Sequence, residues 1–236
     1  GRPDVELYTL TENVDVVRRI TDLVTKPVFA DADTGYGNVI NVQRTVREFE
    51  RAGVAAISLE DQFSPKRCPA AAAKMPLITQ AEAVAKIRAA VDARRDPDFL
   101  IVARTDAVDP AEAMDRSAAY AEAGADLIQP ISRTYKTYAE LVQLREVCGR
   151  RLSLQLMQGT WMVDLSRPQI ESVAAFATYP IVTLMTVVQA MQQNLAELAR
   201  RRSGDVNGIP CAQTSMADFK KVIGFEAIEA LQAHYE

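Results

Sequence analysis

Short apolar runs alternate with longer amphipathic stretches along most of the chain, and this alternation constrains the fold more than any other feature of the sequence. The runs are continuously apolar, which is typical of parallel strands that are buried on both faces. We predict six strands, at residues 27–30, 55–59, 99–103, 126–128, 152–154 and 174–177. The repeated strand-helix order predicts an α/β fold with a parallel sheet, and it does not decide between an open sheet and a closed barrel.

Capping residues and glycines mark the predicted helices between these strands. Asn41 is predicted to cap a helix that Gly53 ends. Further helices are predicted to begin at the capping box that opens at residue 79, at the Asp-Pro pair at residue 109 and at a second capping box at residue 137.

The sequence after residue 180 predicts helices only. Closing helices are predicted over 187–201 and 225–234, and no linker rich in serine or glycine divides the chain. We therefore predict a single β/α-barrel domain over residues 1–236, with its strands and their helices in 1–180 and carboxyl-terminal helices in 181–236.

Charge and residue usage exclude several classes of function. The chain has 27 Lys and Arg against 31 Asp and Glu, and its net charge of −4 disfavours nucleic acid and anionic membranes as partners. No apolar run approaches the ~18–20 residues that span a bilayer. The single histidine lies near the end of the sequence, which disfavours a catalytic triad or a His-rich metal site. Three widely separated cysteines indicate a reducing, cytoplasmic compartment rather than a disulfide framework.

Charged side chains follow three successive predicted strands. Asp31 and Asp33 follow the first strand, Glu60 the second, and Arg104 and Asp106 the third. The carboxyl ends of parallel strands form one face, which carries the active site in such folds. Carboxylates without histidine or paired cysteine suit a hard cation such as Mg²⁺ or Mn²⁺. Each residue alone fits a helix cap or a loop ion pair equally well, but their occurrence on three strands favours a site.

The longest connection between a predicted strand and its helix includes residues 65–74, and it is a candidate lid. Cys68 follows Lys66 and Arg67 there, and positive neighbours favour the reactive thiolate form of a cysteine. An incidental thiol in a basic surface turn explains the pattern equally well, so the sequence pattern leaves both interpretations open.

Four motifs together resemble the isocitrate lyase/phosphoenolpyruvate mutase superfamily, above all its 2-methylisocitrate lyase and carboxyphosphonoenolpyruvate mutase branch. They are Asp-Ala-Asp-Thr-Gly-Tyr-Gly-Asn at 31–38, Leu-Glu-Asp-Gln at 59–62, Pro-Lys-Arg-Cys at 65–68 and Ile-Val-Ala-Arg-Thr-Asp-Ala at 101–107. The resemblance implies a (β/α)8 TIM-type barrel that swaps carboxyl-terminal helices between subunits, as a homotetramer built from two helix-swapped dimers. Because only six strands are visible, we expect the chain to lack the first two strands of that barrel.

The resemblance also implies how the site works. Asp31, Asp33 and Glu60 would hold Mg²⁺, mostly through water, with Mn²⁺ as a possible replacement. Arg104 would bind the substrate carboxylate and the enolate oxygen, as a planar fork of donors can. Cys68 would be the general acid.

Further substrate contacts and several departures follow from the same resemblance. Asp4 would approach the substrate site, and Gln155 and Gln158 stand where the family usually has an asparagine and a glutamate that meet the substrate. Ile131 replaces another usual glutamate, and Pro-Ala-Ala-Ala-Ala at 69–73 replaces a polar lid sequence.

These differences leave several functions open. The leading prediction is a Mg²⁺-dependent lyase that cleaves a 2-hydroxy di- or tricarboxylic acid resembling 2-methylisocitrate, or that decarboxylates an oxaloacetate-like acid. The alternatives are a phosphonate P–C bond mutase or hydrolase, and a barrel that only binds a small carboxylic acid.

Overall fold

The computed structural model describes residues 2–68, 75–201 and 204–236 of the chain. These residues belong to two units, Gly1–Pro180 and Ile181–Glu236. The candidate lid at 69–73 lies outside the described residues.

All six predicted strands are present in the first unit, and they follow one another in sequential order across one sheet. They are β1 (Phe29–Asp31), β2 (Ala56–Glu60), β3 (Leu100–Arg104), β4 (Leu127–Gln129), β5 (Leu152–Gln155) and β6 (Ala174–Thr178). Every neighbouring pair is parallel. The sheet prediction is therefore confirmed.

The sheet curls strongly. The aromatic rings of Phe29 on β1 and Phe176 on β6 have centroids 5.1 Å apart. Five strand spacings in a flat sheet would separate these strands by about 24 Å, so the first and last strands have been brought towards each other. This curvature is that of a TIM-type barrel wall. The two additional strands and the exchange of helices between subunits stay predictions.

Helices on the outer face cover the sheet. In the first unit they are α1 (Leu10–Thr21), α2 (Val39–Arg51), α3 (Gln80–Ala93), α4 (Pro110–Glu122), α5 (Tyr138–Cys148), a 3₁₀ helix (Trp161–Asp164) and α6 (Arg167–Val173). Val42, Val46 and Phe49 of α2 are fully buried, as are Ile57 of β2 and Ile101 of β3. The continuous apolar runs therefore form strands that are covered on both sides, as predicted.

The cap of α2 differs from the prediction. Asn38 is the N-cap, and its side-chain oxygen accepts hydrogen bonds from the backbone N–H groups of Ile40 and Asn41. Asn41 occupies the third helical position, and its side chain accepts a hydrogen bond from the Asn38 backbone at 3.1 Å. The prediction of Asn41 as the cap was wrong because both asparagines take part in one capping box, three residues apart.

The second unit consists of α7 (Val182–Arg201), α8 (Met216–Val222) and α9 (Phe225–Tyr235). The first of these begins five residues before its predicted start at residue 187. No residue of the three helices is buried, although they carry many apolar side chains. Among the described residues, no helix is long and apolar enough to cross a membrane.

Candidate active site

The charged residues at the ends of the first three strands meet at one edge of the sheet. Asp31 is the last residue of β1, Glu60 of β2 and Arg104 of β3. Glu60 and Arg104 are paired in register, and the Glu60 backbone N–H donates to the Asp33 carbonyl at 2.9 Å. Because register partners in a parallel sheet project to the same side, their side chains share one face.

Arg104 lies between two buried carboxylates. Its Nη1 is 3.0 Å from Glu60 Oε2, and its Nη2 is 2.8 Å from Asp106 Oδ1. Burial raises the pKa of Glu60 to about 8, while the neighbouring Arg104 acts in the opposite direction. Arg104 Nε is buried and has no hydrogen-bond partner among the described residues. The guanidinium is thus held in a fixed orientation, with N–H donors beyond the two ion pairs still available.

A buried lysine that the sequence analysis did not assign to the site joins the carboxylates of three segments. Lys66 Nζ is 2.5 Å from Asp33 Oδ1, 2.9 Å from Asp4 Oδ1 and 3.9 Å from Glu60 Oε1. Lys66 is only 5% exposed. Burial raises the pKa of Asp33 and so does the negative charge of Asp31, while Lys66 lowers it. The lysine stands two positions before Cys68 in the basic motif, which is the signal that could have found it.

Asp31 shapes the turn that presents Asp33. Its Oδ1 accepts hydrogen bonds from the Asp33 backbone N–H at 3.0 Å and from Ser58 Oγ at 3.2 Å. Asp33 has a φ of +50°, in the left-handed region that aspartate adopts more readily than most side chains. Asp31 and Asp33 are two residues apart, but Asp33 lies in the turn after β1. Asp33 is therefore fully buried, whereas Asp31 is exposed.

The donors present fit a hard divalent cation. Among the described residues no group of three His, Cys, Asp or Glu side chains could hold a metal ion by itself. The oxygens of Asp33 and Glu60 are nevertheless buried; they form ion pairs with Lys66 and Arg104, and Asp33 also interacts with Tyr8. Magnesium in proteins is commonly held by one or two carboxylates and completed by water and substrate oxygens, which is what this arrangement offers.

The charge balance points the same way. The site contains five carboxyl groups and three cationic side chains. The carboxyl groups are those of Asp4, Asp31, Asp33, Glu60 and Asp106, and the cations are Lys66, Arg104 and Arg133. Because burial raises the pKa of Glu60 to about 8, a divalent cation bound there would favour its charged form.

Asp61 is a further buried carboxylate, and it acts on Arg104 through Asp106. Asp61 is 2% exposed and accepts four hydrogen bonds, two from the segment after β3 and two from α4. The donors are Thr105 Oγ1 at 2.6 Å, the Asp106 backbone at 2.9 Å, Tyr120 Oη at 2.6 Å and Arg116 Nη1 at 3.2 Å. Asp61 therefore holds Asp106, which in turn orients Arg104. The sequence analysis placed Asp61 in a motif but gave it no role.

Glutamines occupy the ends of the next two strands. Gln129 ends β4, is paired in register with Arg104 and is 1% exposed. Its Oε1 faces Ser153 Oγ at 3.5 Å, and its Nε2 has no partner among the described residues. Gln155 ends β5 and is half-buried, whereas Gln158 is exposed in the following turn. The substrate role of Gln155 and Gln158 stays a prediction, and Gln129 is the buried amide that sequence reasoning missed.

The three cysteines have different surroundings, and all are free. Cys68 is half-buried and directly follows Lys66 and Arg67. Cys148 is buried in α5, as its spacing predicts, and burial raises its pKa to about 11. Cys148 is therefore a neutral packing residue, and Cys68 is the thiol nearest in sequence to the charged cluster.

A curled parallel sheet whose strand ends present carboxylates, an arginine and a buried lysine defines the class: a TIM-type α/β protein with a charged cluster at the carboxyl ends of its strands. The chain belongs to the phosphoenolpyruvate phosphomutase family, which it matches over residues 1–202.

Curated relatives and a solved structure agree with this family. The chain is 36% identical to 2,3-dimethylmalate lyase of Eubacterium barkeri, covering 100% of this chain and 81% of that protein. It is 39% identical to 2-methylisocitrate lyase of Aeropyrum pernix, covering 98% of this chain and 74% of that protein. A structure of phosphonopyruvate hydrolase in complex with oxalate and Mg²⁺ superposes with a TM-score of 0.83 at 30% identity, covering 99% and 81% of the two chains. The prediction of an enzyme of the isocitrate lyase/phosphoenolpyruvate mutase superfamily is confirmed.

Proposed function

We propose that this protein is a Mg²⁺-dependent carbon–carbon lyase that cleaves a 2-hydroxy di- or tricarboxylic acid, resembling 2-methylisocitrate, into a 2-oxo acid and a second carboxylic acid. The observation that carries the proposal is the buried cluster of Asp33, Glu60, Lys66 and Arg104 at one edge of the sheet. The relatives named as lyases of branched hydroxy acids support it.

Arg104 would bind the part of the substrate that becomes the oxo acid. Its two terminal nitrogens are oriented by Glu60 and Asp106, and each carries a second N–H that would donate to a substrate oxygen. A guanidinium fixed in this way is suited to a carboxylate or an enolate oxygen. Because its donors are already oriented, they stabilise developing negative charge without rearrangement in the transition state.

Asp33 and Glu60 would hold Mg²⁺ or Mn²⁺, with Asp31 and Asp4 contributing through water. When bound, the cation would supply stabilisation of the negative charge on the oxo-acid oxygens. Lys66 contributes a positive charge to the same carboxylates, since its ammonium group contacts Asp33 and Asp4.

Cys68 would supply a proton. In the cleavage of a 2-hydroxy acid, a carboxylate of the cluster would take the hydroxyl proton, the hydroxyl carbon would become a carbonyl, and the electron pair of the broken carbon–carbon bond would stay on a carbon of the departing acid. That carbanion carbon must be protonated, and the Cys68 thiol lies two residues after Lys66, which contacts the site. Cys148 is buried in α5, and burial keeps its thiol neutral.

Chemistry at a phosphonate or an oxaloacetate-like acid is the second candidate. The structural likeness to phosphonopyruvate hydrolase favours it, as does the unpaired Gln129 Nε2, which offers a donor to an oxygen-rich distal group. The same Arg104 would then bind the oxo-acid half. A barrel that only binds such an acid is the remaining alternative.

A substrate panel with paired cysteine variants tests the proposal. We expect release of pyruvate or glyoxylate from one or more 2-hydroxy di- or tricarboxylates in the presence of Mg²⁺, and no release with chelator. Cys68→Ser should abolish turnover, whereas the control Cys211→Ser should not change it. Turnover by Cys68→Ser at the wild-type rate would remove Cys68 as the acid. Release from phosphonates or oxaloacetate alone would establish the second candidate.

We also propose that the protein is a cytoplasmic homotetramer of two helix-swapped dimers, with no nucleic-acid or membrane partner. The support is the set of exposed apolar side chains on α7–α9, including Val187, Met191 and Leu195, which are 52%, 56% and 59% exposed. Exposed apolar surface of this extent usually marks an interface. A monomeric mass in light scattering would contradict the proposal.

A further inference from the structure

Glu6 lies in the loop before α1 in a backbone conformation that glutamate rarely adopts. Its φ is +54°, in the left-handed region that glycine enters freely. A strained residue that is not glycine is worth explaining when its side chain has specific partners.

The Glu6 carboxylate has three such partners, which belong to two other segments. Its Oε1 accepts a hydrogen bond from Thr34 Oγ1 at 2.5 Å, and its Oε2 accepts from Ser64 Oγ and from the Lys66 backbone N–H, both at 2.7 Å. Thr34 directly follows Asp33 in the turn after β1. One side chain therefore ties this turn to the segment that leads to Cys68.

We propose that Glu6 is a positioning residue, which holds the segment 64–68 so that Lys66 Nζ contacts Asp33 and Cys68 stays beside the site. The kinetic part of this inference rests on the proposed lyase function, but the structural part does not. Gln62 Oε1 accepts a hydrogen bond from the Arg67 backbone at 2.9 Å, so the segment is bound at two consecutive residues. Of these two contacts, the one with Gln62 lies within the connection after β2, and the one with Glu6 comes from a different part of the chain.

The chemistry of the contact suits a carboxylate best. Both Glu6 oxygens accept, and the Lys66 backbone N–H can only donate. Glutamine keeps the size of the side chain and can still accept from Ser64 and the Lys66 backbone, but its NH₂ must donate to the Thr34 hydroxyl, which then loses its own acceptor, so the contact is weakened and not removed. Glycine removes the carboxylate while suiting the positive φ. The two variants thus separate the hydrogen bonds from the backbone strain.

The test measures the alkylation rate of Cys68 by iodoacetamide, read by peptide mass spectrometry, in the wild type, Glu6→Gln and Glu6→Gly. Glu50→Gln is the matched control, because Glu50 Oε1 also accepts from two backbone N–H groups, of Arg95 at 2.7 Å and Asp96 at 2.6 Å, away from the site. Loss of these charge-assisted bonds should raise Cys68 alkylation by about tenfold in Glu6→Gly and by less in Glu6→Gln. The control should leave that rate unchanged.

The outcomes separate this proposal from the proposed function. Faster alkylation of Cys68 in Glu6→Gly, with a smaller rise in Glu6→Gln and without faster alkylation of Cys211, supports positioning even if no substrate is turned over. If a substrate is found, kcat should fall and KM should rise, because the segment carries both Cys68 and the contact of Lys66 with Asp33. An unchanged Cys68 rate in Glu6→Gly, or an equal rise in Glu50→Gln, would overturn the proposal.

Discussion

The sheet has two halves that differ in the kind of polar group at their strand ends. At the ends of β1–β3, carboxylates, Arg104 and Lys66 form a continuous ionic cluster. At the ends of β4 and β5, the polar groups are neutral amides: Gln129, which has an unpaired Nε2, and the half-buried Gln155. The charged half can stabilise negative charge that develops in a reaction, whereas the neutral half can only donate or accept hydrogen bonds. We infer that reaction type is fixed in the first half and substrate choice in the second.

The largest effect should follow removal of the central cation. Arg104→Met would leave Glu60 and Asp106 buried without their partner, so we expect a loss of about 3–5 kcal/mol in the free energy of unfolding. Turnover should also fall by at least about 10²–10³, as for other preorganised donors. Denaturant unfolding and steady-state kinetics measure the two effects.

An exposed ion pair provides the control for Arg104. Arg167 pairs with Glu171 at 2.7 Å on the surface, with its side chain 88% exposed. Arg167→Met should leave both the free energy of unfolding and turnover close to the wild-type values. Equal effects of the two variants would show that the buried position of Arg104 in the cluster contributes nothing beyond an exposed ion pair.

The next largest effect should follow substitution of Asp61, the buried carboxylate that holds Asp106. Asp61→Asn would replace an acceptor by a donor in a buried network, so a loss of about 1–3 kcal/mol is expected together with reduced turnover. Asp126→Asn is the matched control, because Asp126 accepts from Arg94 at 2.6 Å and from the Ile101 backbone at 2.8 Å, outside the site. It should lower stability alone. Reduced turnover in both variants would mean that stability, and not the orientation of Arg104, explains the effect.

The second half of the sheet should respond in selectivity. Gln129→Leu removes a buried amide that has one unpaired end, so the free energy of unfolding should change by less than about 1 kcal/mol. The order of kcat/KM values across the acid panel should change, by about tenfold or more for acids with a polar distal group. An unchanged order of substrates would break the division between the two halves.

The smallest effect concerns the buried cysteine of α5. Because burial raises the pKa of Cys148 to about 11, its thiolate is scarce at pH 8 and increases only as the pH approaches 11. Iodoacetamide should therefore modify Cys68 at pH 8 and leave Cys148 unmodified until the protein is unfolded. Rapid modification of Cys148 in the native protein at pH 8 would contradict its assignment to the core.

Apolar runs and motifs in the sequence predicted the strands and several residues of the charged cluster. The six strands came from continuous apolar runs, and the carboxylates and Arg104 from motifs at strand ends. Helix α1 was not predicted, although Thr9 and Glu12 form a capping box that the sequence displays.

Other features depend on contacts between distant residues. Glu6 acquires its partners from segments 28 and 60 residues away in sequence, so no local spacing reveals it. The unpaired end of Gln129 is likewise a property of the packed interior. Lys66 was visible in the basic motif, but its burial against Asp33 required the fold.

The most direct test of the central claim is a Mn²⁺ titration followed by electron paramagnetic resonance, with wild-type protein, Asp33→Asn and the Asp126→Asn control. The expected result is a saturable site in the wild type and the control, with binding strongly weakened in Asp33→Asn. Absence of bound Mn²⁺ in the wild type, or equal binding by Asp33→Asn, would contradict the assignment of this cluster as a divalent-cation site.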